Sequence, residues 1–89
     1  MPADALSRCK GYLVVALDGI CGVVETPLFP PEGSDPDFLV VRMGRKIRPR
    51  FPIVAAALVA AVDPERELVL LRATRAEVAA LPERLPLAI

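Results

Sequence analysis

Few side chains in this sequence are of a type that performs acid, base or nucleophilic chemistry. The chain has no histidine, and the spacing of its two cysteines, Cys9 and Cys21, matches no metal-binding motif. No basic residue adjoins Cys21 in sequence to activate its thiol, so we expect reduced, structural cysteines. Asp18 precedes Gly19, and this pair is typical of a tight turn rather than of a catalytic base. The sequence therefore predicts no catalytic residues, no metal and no cofactor.

One charged segment could bind a partner. The formal charge of the whole chain is zero, with 11 basic and 11 acidic residues, but the segment 42–50 has basic residues only. These residues are Arg42, Arg45, Lys46, Arg48 and Arg50. In a strand over residues 46–50, alternation would place three of them on one face, where RNA phosphates or an acidic protein could bind. The alternative is a solvated edge hairpin whose charges prevent aggregation, and the lack of an aromatic residue between them favours it.

The composition is typical of one small domain with an aliphatic core. A chain of 89 residues buries only about 60 to 65% of its unfolded surface. Apolar residues make up 54% of it, yet there are only three Phe, one Tyr and no Trp. Either a partner covers the surplus aliphatic surface, or alanine-rich composition bias accounts for it. No apolar run is long enough to span a membrane and no signal-peptide pattern is present, so we expect a cytoplasmic protein without an integral membrane segment.

Proline and glycine divide the first half of the chain into segments of strand length. The predicted strands are residues 12–17, 20–26 and 38–42. The first two form a hairpin whose turn is Asp18-Gly19, because this pair suits positive φ at both central positions. Gly22 lies inside the second strand and predicts a bulge or a tight bend. Residues 28–37 contain three prolines and are predicted to form a loop.

Residues 53–63 admit two interpretations. Their five alanines favour a helix, but Pro52 and Pro64 limit such a helix to about three turns. The preferred interpretation is a strand through Val54, a tight turn at residues 55–57 and a second strand at residues 58–62. A single helix is the alternative.

The chain then predicts a turn, a strand and a helix. A type I turn at residues 63–66 leads to a last strand at residues 68–73. Thr74 begins the sequence T-R-A-E, which is typical of a capping box at the start of a helix. A helix of under three turns is unstable alone in water, so we expect it to dock on the sheet through Val78 and Leu81.

The order of these elements resembles the PRC-barrel family. This small β-barrel occurs in the photosynthetic reaction centre H subunit and at the C-terminal end of a bacterial ribosome-maturation factor. The segments that carry the resemblance are DGICGVVE, DFLVVRMG and VDPERELVLLRATRAEVAALP. It spans residues 11–83, with residues 1–10 as an N-terminal extension and residues 84–89 as a C-terminal tail. It implies a mostly β fold, a PRC-type barrel of five or six strands with one short C-terminal helix.

The resemblance also implies a function. Short free-standing members of the family suggest a non-enzymatic protein-interaction module, an adaptor or scaffold whose protein partner the sequence does not identify. The alternative is an RNA- or ribosome-associated accessory factor that uses the basic hairpin, similar to the maturation factor but without its separate N-terminal domain. A small enzyme is a third hypothesis, which the lack of catalytic residues disfavours.

The apolar strands predict self-association. Residues 38–41 and 68–71 are apolar on both faces, although one face of a barrel strand normally meets solvent. We expect a homodimer whose contact face contains the outward residues of these strands, Leu39, Val41, Leu68 and Leu70. The alternative is that the proline-rich loop folds back and covers this face with Leu28 and Phe29.

Overall fold

The computed structural model describes residues 3–29, 36–45 and 48–83. Its elements, in chain order, are α1 (Ala3–Ser7), β1 (Leu13–Ala16), β2 (Gly19–Leu28), β3 (Phe38–Arg45), β4 (Arg48–Arg50), β5 (Ile53–Ala55), β6 (Val59–Asp63), β7 (Leu68–Leu71) and α2 (Arg75–Ala79). A short 3-10 helix, Ala56–Leu58, joins β5 to β6. The prediction of a mostly β fold is confirmed, as is the helix after the last strand.

The seven strands form one mixed sheet in the order β4-β3-β2-β1-β7-β6, with β5 also paired to β3. β1 and β7 are parallel, and the other pairs are antiparallel. β5 and β6 lie at opposite ends of this order but are joined by only three residues, so the sheet must curl until its ends are close.

The sheet does not close into a barrel, contrary to the expectation from the resemblance. No ladder pairs β5 with β6 in the described parts of the chain. The amide of Ile53 in β5 instead donates a hydrogen bond to the carbonyl oxygen of Pro82, at 2.8 Å. The segment after α2 therefore occupies the edge that β6 would need.

The core lies inside the curl of the sheet. It contains mainly small aliphatic side chains from every strand except β4, with Val78 of α2 fully buried among them. Residues 1–10 were expected to be an extension, yet α1 supplies the buried Leu6, and Cys9 is also buried. The thiol of Cys9 donates a hydrogen bond to the carbonyl oxygen of Leu6 at 3.1 Å.

The β1–β2 turn is shifted by one residue from its predicted position. Ala16 pairs with Gly19, so the two turn residues are Leu17 and Asp18 rather than Asp18 and Gly19. Gly19 has a φ of 136°, whereas neither turn residue has a positive φ. This arrangement leaves the Asp18 carboxylate free to reach α2.

The predicted bulge at Gly22 is present. Val14 pairs with Gly22 and Val15 with Ile20, which leaves Cys21 as the extra residue on β2. A Cβ atom at residue 22 would overlap the backbone carbonyl oxygen of Arg42 on β3. Glycine is therefore required here by the close approach of two backbones.

The second half of the chain follows the preferred interpretation. Residues 53–63 split into β5, the 3-10 helix and β6, because Pro52 and Pro64 confine the alanine-rich segment between turns. The Asp63 side chain accepts hydrogen bonds from the amides of Glu65 and Arg66, which stabilises the β6–β7 turn. This turn ends at Glu67, whose φ is 55°.

The capping box of α2 is also confirmed. The amide of Glu77 donates to Thr74 Oγ1 at 3.2 Å, and the amide of Thr74 donates to Glu77 Oε1 at 2.9 Å. Val78 is buried and Leu81 packs against the core, as predicted for a helix that is stable only when docked.

Candidate interaction surface

The structure corrects half of the predicted dimer face. Leu39 and Val41 are 0% exposed and belong to the core, and Val40 between them is only 2% exposed. Successive residues of a strand point to opposite faces, so the burial of all three shows that β3 is covered on both faces. Leu28 and Phe29 do not provide the alternative cover, since Leu28 ends β2 opposite Phe38 and Phe29 is exposed.

The other half of the predicted face belongs to a different surface. On β7, Val69 and Leu71 are buried, so Leu68 and Leu70 point away from the core. Through the parallel pairing, Leu68 lies beside Leu13 and Leu70 beside Val15. Across the next pairing, Leu13 lies beside Val23 and Val15 beside Ile20. We call these six residues the outer aliphatic face: Leu13, Val15, Ile20, Val23, Leu68 and Leu70.

None of these six side chains packs against the core cluster. Ile20 is 63% exposed and Leu70 is 37% exposed, while the other four are half-buried by their neighbours. The outward face of a strand usually carries polar residues, because it meets water. Here the paired segments 13–15, 20–23 and 68–70 of three adjacent strands carry aliphatic side chains on this side, and folding alone does not require this.

A groove of about 500 Å³ continues this face toward β3 and β4. Leu13, Ile20 and Val23 form one side of it, and Met43 and Pro49 line the other. Gly22 and Gly44 also line it. Arg42 also lines it and places one guanidinium beside an otherwise apolar lining.

The basic residues do not form a single ridge. Arg42 pairs with Val23 on the outer side of the sheet, whereas Arg50 pairs with Met43, which points the opposite way from Arg42 along β3. Arg48 lies opposite Arg45 and shares a face with Arg50, as the alternation predicts. Lys46 lies outside the described residues, and of Arg45 only the backbone is described.

Two of the arginines already have intramolecular partners. Arg50 Nη2 donates to the carbonyl oxygen of Ala79, the last residue of α2, at 2.8 Å, and lies 3.5 Å from Glu83 Oε2. Arg42 Nε lies 3.9 Å from Glu25 Oε1, and both side chains are about half exposed. Arg50 therefore stabilises the end of α2, whereas the Arg42 pair is long and solvated and contributes little to stability.

Asp18 has a structural role, as predicted, but it fills this role through contacts that the sequence did not predict. Its Oδ1 accepts a hydrogen bond from the Arg75 amide at 2.8 Å, and its Oδ2 lies 3.5 Å from Arg75 Nε. The hydrogen bond from the Arg75 amide is the main cause that holds the pKa of this carboxyl below its usual value, and the Asp18 amide and the Arg75 guanidinium add smaller effects in the same direction. The hairpin turn thus caps a helix 57 residues later in the chain.

The two cysteines are free and buried. Burial raises the pKa of the Cys9 thiol. Burial and, to a smaller extent, the negative charge of Asp18 raise the pKa of the Cys21 thiol. Both thiols are therefore protonated at neutral pH, which disfavours nucleophilic chemistry.

In the described residues, no group of three or more His, Cys, Asp or Glu side chains is arranged to hold a metal ion. None of the helices described is long and apolar enough to cross a membrane. No protein-family model and no curated protein sequence matches the chain. The resemblance to the PRC-barrel family therefore stays a prediction.

The sequence missed four of the six residues of the outer aliphatic face. Leu13 and Val15 alternate with the buried Val14 and Ala16, and this pattern marks one outward side of β1. The parallel pairing of β1 with β7, which brings Leu68 and Leu70 beside them, joins segments about 55 residues apart. No local sequence signal specifies that pairing.

Proposed function

We propose that this chain is a non-enzymatic protein-interaction module, an adaptor or scaffold that binds its partner through the outer aliphatic face and the adjoining groove. The observation that supports the proposal most is the outward aliphatic surface of three adjacent strands. Burying such a surface against a partner is favourable by about 25 cal/mol per Å² of apolar area. A fold that needed these strands only for its own core would carry polar residues on this side.

The shape and charge of the groove support a protein partner. Its aliphatic lining suits one or two apolar side chains, and Arg42 offers a donor to a carboxylate on the same partner. The exposed pair of Arg42 with Glu25 is weak and can be exchanged for a contact with a ligand. The partner we propose is therefore a protein surface or segment with apolar residues next to an acidic one.

A protein partner is favoured over RNA, the alternative function. Arg50 is engaged with α2 and Glu83, and Arg42 points away from the face that Arg48 and Arg50 share. Single-stranded RNA is commonly bound by stacking its bases on aromatic side chains, and the basic segment contains no aromatic residue. The charges of this hairpin suit protection of an edge strand instead.

The relation to the PRC-barrel family and the cytoplasmic location belong to the same proposal. A curled, mostly β sheet with a docked C-terminal helix agrees with the resemblance. Free buried thiols fit a reducing compartment, in which disulfides are rare.

Affinity capture with crosslinking, at low and at high salt, tests this proposal. The immobilised chain should retain a protein partner that resists high salt, because apolar contacts are not screened. Leu70→Glu should lose that partner, since it places a charge in the middle of the outer aliphatic face. Leu17→Glu is the matched control, because Leu17 is an exposed leucine of the β1–β2 turn outside this face.

Two outcomes would overturn the proposal. Retained nucleic acid that is released at high salt would point to the RNA-associated alternative. A protein partner that both leucine variants retain would bind elsewhere on the chain.

A further inference from the structure

The curled sheet has three margins, and they differ in how they are protected. A strand at a margin exposes unpaired backbone groups, so natural sheets blunt it with charge, proline or cover. β4 has Pro49 between two arginines, and proline lacks the amide that another strand would need. β5 is covered, because Ile53 donates to Pro82 and Pro52 forms a bridge with Glu83.

Among the margins that the structure describes, β6 has the least such protection, and its one protective feature is the bulge at Ala60. It contains no lysine, arginine or proline, and its sequence is VAAVD. Within the described residues it pairs only with β7, and its own backbone makes no hydrogen bond to any further segment. Its one charged side chain, Asp63, is engaged by the amides of Glu65 and Arg66 in the following turn.

The bulge at Ala60 lies near the start of β6 and leaves a regular stretch behind it. Ala61, Val62 and Asp63 pair in register with Leu70, Val69 and Leu68 of β7. Ala61 lies beside the outward Leu70, so its methyl group points to the outer side of the sheet. A second strand can approach this edge without meeting a large side chain there.

We propose that β6 pairs antiparallel with β6 of a second copy of this chain, which joins the two sheets edge to edge around a two-fold axis. A two-fold axis sets the residue on the axis opposite its own copy and each neighbouring residue close to its copy, so charges of one sign in the centre of the strand would repel one another. The uncharged centre of β6 avoids that cost. Pairing centred on Ala61, the middle residue, sets the regular residues 61–63 of each copy opposite residues 61, 60 and 59 of the other, so the bulged Ala60 faces Val62.

The flanking segments also favour a second copy. In this antiparallel arrangement, the end of each β6 meets the start of the other. The charged turn at Pro64–Glu67 of one copy then lies near the uncharged 3-10 helix Ala56–Leu58 of the other. Within residues 56–67 of the two copies, which the structure describes, no charges of like sign face one another across the axis.

The dimer is tested by measuring the mass of the full chain by light scattering from about 1 to about 200 µM, a range that covers weak interfaces. The native mass should rise from 9.6 kDa toward twice that value. Ala61→Lys and Ala61→Glu should each weaken association by about tenfold or more, because like charges meet at the axis. An equimolar mixture of the two variants should restore it. Ala76→Lys, at an exposed position of α2, is the control and should behave as native.

A crosslink provides the second measurement, in case a charge at residue 61 disturbs the hairpin. Ala61→Cys should form a disulfide between two copies under mild oxidation, whereas Ala76→Cys should not, and the buried native thiols should react slowly. A native chain whose mass stays at 9.6 kDa over the whole concentration range would overturn the proposal. The edge of β6 would then be a candidate for pairing with an extended segment of another protein. A dimer insensitive to charge at Ala61, or without the crosslink, would overturn it as well.

This inference is separate from the proposed function. A monomer that still loses its partner on Leu70→Glu would refute only the strand pairing. A dimer that captures no protein through the outer aliphatic face would refute only the proposed function.

Discussion

The region around α2 and the outer aliphatic face differ in what their side chains contact. Around α2, the polar groups of Asp18, Thr74 and Glu77 satisfy backbone amides at the start of the helix, and Arg50 binds its last carbonyl. On the outer aliphatic face, six apolar side chains have no contact with the core. The first region is explained by folding, and the second is not. The polar side chains around α2 stabilise the fold. The candidate functional surface is the outer aliphatic face, whose side chains do not pack against the core.

The largest expected effect concerns the β2–β3 contact beneath the groove. Gly22→Ala should lower the free energy of unfolding by about 1 to 3 kcal/mol, because the new methyl group meets the backbone of Arg42. Urea unfolding measures this loss, and Val23→Ala on the outer side of the same strand is the control, with a smaller loss expected. A Gly22→Ala variant as stable as the native chain would mean that the two strands are further apart.

The cap of α2 gives the next effect. Thr74→Ala should lower the free energy of unfolding by about 1 kcal/mol, because it removes the acceptor for the Glu77 amide. Thr74→Ser keeps that oxygen and should restore most of the loss in a thermal melt. Equal melting of Thr74→Ala and the native chain would show that α2 does not depend on this cap.

The Arg50 contacts predict a smaller loss. Arg50→Ser should cost about 0.5 kcal/mol, because the contacts with Ala79 and Glu83 are solvated. Arg48→Ser is the matched control, since the Arg48 side chain is exposed and makes no hydrogen bond or ion pair within the part of the chain that the structure describes. If chemical denaturation ranks Arg48→Ser as the more costly change, the assignment of Arg50 to the end of α2 is wrong.

The interaction of Asp18 with α2 predicts a dependence on pH. The pKa of Asp18 is lower in the folded chain than its usual 3.8, so its charge stabilises the fold above that pH. This contribution is lost as the pH falls through the lowered folded value. Asp18→Asn keeps an acceptor oxygen for the Arg75 amide but loses the charge. Its melting temperature should lie below the native one at pH 7, and the difference should shrink below pH 4. A constant difference at all pH values would contradict this assignment.

The sequence predicted the elements better than it predicted their surfaces. The split of residues 53–63, the bulge at Gly22 and the cap at Thr74 are local, and each depends on a proline, a glycine or a side chain within three residues. The Asp18 carboxylate at the shifted first turn contacts Arg75, which lies far along the chain. Local turn statistics contain no information about that contact.

The errors in burial have a similar origin. Segments such as FLVV are apolar at every position, so alternation does not show which side faces the core. The curl of the whole sheet places Leu39 and Val41 in the core, and Val40 on the opposite face is buried as well. Tertiary contacts bury Leu6 and Cys9 in the core. The short segment that contains them has no hydrophobic periodicity from which this burial could be predicted.

The central claim is that the fold does not need the outer aliphatic face for its own stability. The free energy of unfolding of Leu70→Glu tests it most directly, with Leu71→Glu, the adjacent core residue, as its counterpart. We predict that Leu70→Glu costs no more than about 1 kcal/mol, the range of strand propensities. Leu71→Glu should unfold the chain, because it buries an unpaired charge. A loss for Leu70→Glu comparable to that for Leu71→Glu would contradict the account, since it would make this face part of the structural core.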